Sequence, residues 1–260
     1  MPYFTMQQTT SPNWDAYWRH YEAPDYINYI PQITETIRAH VDLCGCRVLE
    51  IGAGTGGNSS TLASLGAVVT ALDFSALALQ RTVTTASKTG VNLVVVQGDA
   101  RCLPFESGAF DLVFHQGFLE HFTDPASLVR EQRRVLCTGG YILVDVPQRY
   151  NWYTLHKRRL IRTERWPYGG WEREFSLGEL RTLLEVEGFR VIDAYGRGYY
   201  PRPLAMLRNL ARIETKLLKR KVLPGKLWQR YDAWWRRFER TRFGCYVLQC
   251  VGVLARATAA

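Results

Sequence analysis

Three carboxylates, a run of glycines and a pair of histidines are the residues of this 260-residue chain whose types and spacing could do chemistry. Glu50 stands two residues before Gly52, in the run Glu50-Ile51-Gly52-Ala53-Gly54-Thr55-Gly56-Gly57-Asn58. Glycines in such a run permit a tight turn and let a ligand approach the backbone closely. Their spacing also satisfies G-x-G-x-x-G (Gly52, Gly54, Gly57), so the glycines alone admit a nicotinamide or flavin dinucleotide as readily as another adenosyl ligand. Asp73 closes the next apolar run and Asp99 the one after it. These acids discriminate. Asp73 suits the ribose hydroxyls of any adenosine ligand, but a cluster of Glu50, Asp73 and Asp99 serves a pyrophosphate poorly and favours a ligand bearing a sulfonium and an ammonium. Further on, His115, Glu120 and His121 surround the end of a fourth apolar run. His121 could act as a general base with Glu120 orienting it, or it could simply pack at the start of a helix.

The elements that must position these residues follow from periodicity. Short apolar runs predict strands at Arg47–Ile51, Ala67–Asp73, Asn92–Asp99, Phe110–Gln116, Gly139–Pro147, Arg190–Gly196 and Gly244–Ala257. Helices are predicted between them: one closed by Gly66, one from Ser75 to Gly90, one with Asp124 as N-cap and Pro125 behind it, and one opened by a Ser176/Glu179 capping box. Residues 24–41 read as a helix kinked at Pro31. Alternation of this kind predicts an α/β, doubly wound, Rossmann-like fold: a mostly parallel seven-stranded sheet with a C-terminal antiparallel hairpin. In such sheets ligands bind at the carboxyl ends of the strands, where all three acids fall.

In order, the motifs resemble the class I S-adenosylmethionine-dependent methyltransferases, especially the small-molecule and lipid-linked branch that includes quinone-biosynthesis enzymes. The resemblance covers about residues 25–195. It rests on Glu50 to Gly56, on Asp73-Phe74-Ser75, and on Gly98-Asp99-Ala100 with Leu103-Pro104-Phe105. It continues through Phe110 to Val113 with Leu119-Glu120-His121, and Leu136 with Gly139-Gly140. It implies S-adenosylmethionine as cofactor. The backbone of Gly52, Ala53, Gly54 and Gly56 and the nearby Glu50 would hold the methionine part. Asp73 would bind the ribose, Phe74 would pack on adenine, and Asp99 and Ala100 would meet the adenine edge. Gln116 would border the transfer site. The loop after the fifth strand, with Tyr153, His156, Arg158 and Arg159, would close over the acceptor. Tyr17, Trp18 and Tyr21 read as an amphipathic helix or a lid.

Composition frames the rest. Residues 1–148 hold 9 Lys/Arg against 14 Asp/Glu, whereas residues 197–243 hold 14 against 3. The chain therefore divides into a helical extension (1–45), a cofactor-binding core (46–196), a basic, aromatic helical insertion (197–243) and a final strand (244–260). Two helical patterns are predicted in the insertion, Leu204 to Leu217 and Trp228 to Phe238. It reads as a structural cap, a peripheral membrane contact or a nucleic-acid surface, with nucleic acid disfavoured because no Asn/Asp-Pro-Pro-aromatic sequence follows the fourth strand. The expected partner is a small-molecule or lipid-linked acceptor. No apolar run is long enough to span a membrane, no secretory signal is evident, and six cysteines without a C-x-x-C pair fit a reducing cytoplasmic setting, at most peripheral to the inner membrane surface.

Overall fold

A computed structural model describes residues 11–20, 29–163, 172–198 and 225–258. Seven strands form one sheet in the order β3-β2-β1-β4-β5-β7-β6. The strands are β1 (Arg47–Ile51), β2 (Val68–Asp73), β3 (Val94–Gln97), β4 (Phe110–Gln116), β5 (Leu136–Pro147), β6 (Phe189–Arg197) and β7 (Cys250–Ala257). The first five are parallel, and β7 inserts antiparallel between β5 and β6. Strands β1, β4 and β5 are buried along most of their length because helices cover both faces. One face packs α5 (Pro125–Val135) and α7 (Leu177–Val186) over Leu49, Val113, Val144 and Val253. The other packs α2 (Pro31–His40) and α3 (Gly57–Ser64) over Val48, Phe114, Leu143 and Leu254.

Local chemistry sets the helix ends. Ser75 caps α4 (Ala76–Thr89), accepting from the Ala78 amide, and Gly90 ends that helix in the left-handed region at φ 69°. Asp124 accepts from the Ser127 amide with Pro125 in the first turn of α5. Ser176 and Glu179 form the reciprocal capping box of α7. Two expectations are corrected. Pro31 opens α2 rather than kinking a longer helix, since proline lacks an N–H and suits the first turn, where that donor has no partner anyway. The last strand starts at Cys250, not Gly244. Residues Arg242–Val247 form a short helix, α9, because the Thr241 hydroxyl caps it by accepting from the Gly244 amide.

The described part of the insertion is α8 (Gly225–Glu239), which follows α6 (Trp152–Arg162) and α7 in the chain. It lies against α2, where Gln32 donates to Glu239 at 3.0 Å and Arg236 pairs with Glu35, and just past its end Arg240 donates to Asp193 of β6 at 2.9 Å. The pattern from Leu204 to Leu217, the residues Tyr21, Trp166 and Trp171, and the side chains of Trp228 and Tyr231 lie outside the described set. Among the described residues no helix is long and apolar enough to cross a membrane.

Candidate active site

A cavity of about 460 Å³ opens at the carboxyl ends of β1, β2 and β4. The β1 turn forms one wall. Gly52 and Gly54 adopt φ of 68° and 57°, a region that favours glycine. A Cβ at Gly52 would meet the Phe118 ring at 2.9 Å, and one at Gly54 the Trp18 indole at 3.0 Å, so both positions require glycine for the aromatic walls to close on the turn. Asp73 pins this turn to the next: one carboxylate oxygen accepts from the Gly54 amide at 3.0 Å and the other from Ser75 at 2.9 Å. Glu50 accepts from the Ser59 amide at 3.1 Å and from its hydroxyl. Asp99, two residues beyond the end of β3 rather than in it, is paired with Arg101 at 2.5 Å.

Of the expected cofactor-binding residues, Glu50, Gly52, Ala53, Gly54, Asp73, Phe74, Asp99, Ala100 and Gln116 all line this cavity. Gly56 does not. Its φ is 71° and a Cβ there would sit 2.7 Å from Thr82, so it serves the packing of the loop on α4 rather than a ligand. The walls fit a cationic adenosyl ligand. Burial pushes Glu50 up to about 7, and burial likewise raises Asp73, so a bound cation would relieve carboxylates that are costly to ionise alone.

The opposite end is built by the short 3₁₀ turn Leu119–His121, by α6 and by residues 172–174. Glu120 and His121 line it, together with Phe118, Phe122, Tyr153, Lys157 and Glu172. His121 packs edge-on against Trp14 with ring centroids 5.0 Å apart. Glu120 is 3% exposed and its Oε2 has no hydrogen-bond partner. Burial pushes its carboxyl up to about 8; Glu172 and Asp145 add to this and Lys157 opposes it. His115, expected to share in catalysis, is corrected by the structure. It lies inside the sheet, wholly buried and absent from the cavity wall, and burial lowers it to about 3. Position parity explains this: on β4, Val113 and His115 face the α5 side, so His115 turns into the core beside Phe118, ring centroids 5.3 Å apart, and stays out of the cavity wall. His156 and Arg159 of α6 are exposed, outside the cavity wall, whereas Tyr153 lines it.

Several lining residues were missed, Trp14 among them, whereas Trp18 was named as a possible lid. Both come from α1 (Ser11–His20), which reaches the site because Asp15 accepts from the Ser75 hydroxyl and Arg81 donates to the Trp18 carbonyl at 2.8 Å. Lys157 hid in a basic stretch that reads as a solvated face. Gln249 and Cys250 come from the far end of the chain.

The Glu120 shift has a measurable consequence. Its folded value near 8 exceeds the ordinary 4.5, so the folded state holds the proton more tightly than the unfolded chain. Stability from this group is full below about 4.5 and is lost as pH rises through about 8. Glu120→Gln is expected to flatten the fall in unfolding free energy between pH 5 and 8 by a few kcal/mol at most. Denaturant melts at several pH values check this, and parallel wild-type and variant curves would refute it.

The residues 49–144 match the family described as "Methyltransferase domain". A ubiquinone biosynthesis O-methyltransferase of Caulobacter sp. (strain K31) is 32% identical over 166 residues, 60% of this chain and 64% of that protein. The corresponding enzyme of Xanthomonas oryzae pv. oryzae (strain PXO99A) is 33% identical over 46% of this chain and 50% of its own. The chain thus spans between half and two thirds of these relatives. Among solved structures, magnesium protoporphyrin IX methyltransferase from Synechocystis with bound SAH superposes with a TM-score of 0.62, at 14% identity over 96% of this chain and 95% of that one. A putative methyltransferase solved with the Haloferax volcanii Trm112 activator gives 0.64 at 17% identity, over 97% of this chain and 99% of that one. These structural likenesses concern the fold. Residues 49–144 thus match a methyltransferase domain, set within a fold shared with solved methyltransferases.

Proposed function

We infer that the protein transfers a methyl group from S-adenosylmethionine to a small, largely hydrophobic acceptor. The observation that carries this is the continuity of one cavity from the β1 glycine turn to Glu120. When bound, the cofactor supplies an electrophilic methyl group. The turn at Gly52 and Gly54, with Asp73, would hold and orient it, and most of the acceleration comes from such alignment. Trp14, Phe118 and Phe122 exclude water and offer flat apolar walls to the acceptor. The Glu120 carboxylate, with an orphan oxygen, would take the proton that the acceptor hydroxyl or amine loses as its lone pair forms the new bond. His121, packed on Trp14, would hold the wall beside it. The Caulobacter relative supports an oxygen acceptor of the quinone-precursor type.

The test is transfer of labelled methyl from S-adenosylmethionine into fractionated cell extract. Label in an organic-extractable small molecule, abolished by Asp73→Ala, is the expected result. Label in RNA, or no transfer into any fraction, would overturn the reading.

A lipid-linked acceptor is favoured by one further observation. Trp234 and Phe243 are 56% and 66% exposed on α8 and α9, with Arg237 and Arg242 also exposed. Aromatic and basic residues on one surface suit an anionic bilayer interface. Co-sedimentation with phosphatidylglycerol vesicles is expected to fall severalfold in Trp234→Ala/Phe243→Ala; equal pelleting of variant and wild type would remove the membrane contact.

A further inference from the structure

A buried lysine at the acceptor end of the cavity holds two carboxylates that no element of the core needs. Lys157 of α6 is 2% exposed. Its ammonium pairs with Glu172 and lies 3.4 Å from Glu174 Oε1. Arg158 bonds the other oxygen of Glu174 at 3.0 Å from a much more exposed position. Residues 172–175 therefore run between α6 and the core as a strap, and backbone bonds stitch it down on both sides. Phe175 donates to the Pro147 carbonyl and accepts from the Arg149 amide, each at 3.0 Å, while the Arg173 amide donates to the Glu120 carbonyl at 2.8 Å. The segment that neutralises Lys157 thus also grips the turn carrying Glu120.

Stability alone does not explain this arrangement. Burying an ammonium and the Glu174 carboxylate, with Glu172 half-buried beside them, costs more than an apolar contact of the same volume commonly would. Arg158 already neutralises Glu174 from the solvent side. What the lysine adds is a positive charge within the wall that Glu120 and Glu172 also line.

We propose that Lys157 is a positioning residue for methyl transfer: it fixes the strap against the Glu120 turn and, with Glu172, sets the proton affinity of the Glu120 carboxyl. The proposal rests on the reading above in which Glu120 accepts the acceptor's proton.

The charged and titratable groups around Glu120 are Lys157 and Tyr153 from α6, Glu172 and Glu174 from the strap, Asp145 from β5, Cys250 from β7 and its own neighbour His121. Asp145 is committed to a bidentate pair with Arg197, at 2.7 and 2.6 Å, and accepts from the Tyr195 hydroxyl at 2.9 Å. Burial raises the Cys250 thiol to about 12, so it stays neutral. The adjustable charges are those of Lys157 and Glu172. Burial opposes the charge on Lys157, but Glu172 and Glu174 outweigh it and hold the ammonium protonated. The ammonium favours ionised Glu120 and the Glu172 carboxylate disfavours it, so the pair trims a carboxyl that burial has pushed upward.

The experiment titrates the full chain, without added ligand, by NMR of carboxyl-labelled glutamate. The Glu120 resonance is identified by its loss in Glu120→Gln. Lys157→Met is expected to move the Glu120 titration up by about one pH unit or more, and Glu172→Gln to move it down by a similar amount, as expected for loss of a partner charge in a poorly solvated site. Lys157→Arg should restore the wild-type midpoint. If Lys157→Met does not fold, Glu172→Gln and Lys157→Arg decide the matter between them. An unmoved Glu120 midpoint in folded Lys157→Met or in Glu172→Gln overturns the proposal. The labelled-methyl assay across pH is the second arm, in which the rising limb should follow the NMR midpoint. A limb that ignores these substitutions overturns the positioning role while the methyl-transfer reading stands. Absence of transfer in wild type, with the NMR shifts present, overturns the functional reading and the positioning role with it, and leaves only the electrostatic coupling.

Discussion

Asp73→Ala is expected to weaken S-adenosylmethionine binding at least a hundredfold in calorimetry. The carboxylate performs three tasks at once. It holds the Gly54 amide, it holds the Ser75 amide, and it presents a negative charge inside the cavity. Removing it frees two amides at the turn that must be rigid for binding, and deletes the group suited to the ribose hydroxyls. Charge-assisted hydrogen bonds in such a place contribute roughly 1.5–3 kcal/mol each, and about 1.4 kcal/mol is tenfold in affinity. Asp73→Asn should fall between, because one amide N–H then faces a backbone N–H. Asp111→Ala is the control: that carboxylate is paired with Arg47 on the surface, away from the cavity. A dissociation constant for Asp73→Ala within threefold of wild type would remove Asp73 from the cofactor site.

The second large effect concerns stability and lies at Gly252 in β7, between Asp145 of β5 and Tyr195 of β6. A Cβ there would fall 2.1 Å from Tyr195 Cζ and 2.5 Å from its hydroxyl. The ring cannot yield cheaply, since it is fully buried and its hydroxyl donates to Asp145, which also binds Arg197. Overpacking in a dense core typically costs 1–3 kcal/mol. Here the methyl would also dislodge a hydrogen-bonded ion pair, so Gly252→Ala is expected to cost about 3 kcal/mol or more and to lower the melting temperature by roughly 10 °C. The damage should reach function as well, because the Asp145 carbonyl accepts from the Gly117 amide at 2.9 Å, at the base of the loop carrying Glu120. Melting within about 2 °C of wild type would show that Tyr195 has room the packing denies.

Much of the scaffold was legible because its causes are local. Strands β1, β2 and β4, the Ser75 cap, the Ser176/Glu179 box and the proline at the start of α5 each follow from a few adjacent residues. The glycine turn was legible for the same reason, since positive φ at Gly52 and Gly54 is a backbone demand that residue type announces. The misreadings arose where a local pattern admitted two outcomes. Residues 244–247 are as apolar as a strand, yet the hydroxyl of Thr241 tips them into a helix. Pro31 reads as a kink within a helical pattern, but Ile30 before it is extended, so the helix begins at the proline.

By itself the sequence determined the order of the strands, the acids at or just beyond their ends and thereby the class of cofactor, because strand polarity sends successive carboxyl ends to one edge of a parallel sheet. Only the tertiary structure decided which ionisable side chains line the cavity. His115 and Glu120 stand five residues apart in sequence. Strand parity buries one in the core with no role at the cavity, while the turn after the strand aims the other into it. Lys157 could not be told from its basic neighbours until residues 172–174 folded back upon it. Burial and charge pairing depend on segments distant in the chain, and it is these that set the proton affinities at the acceptor end.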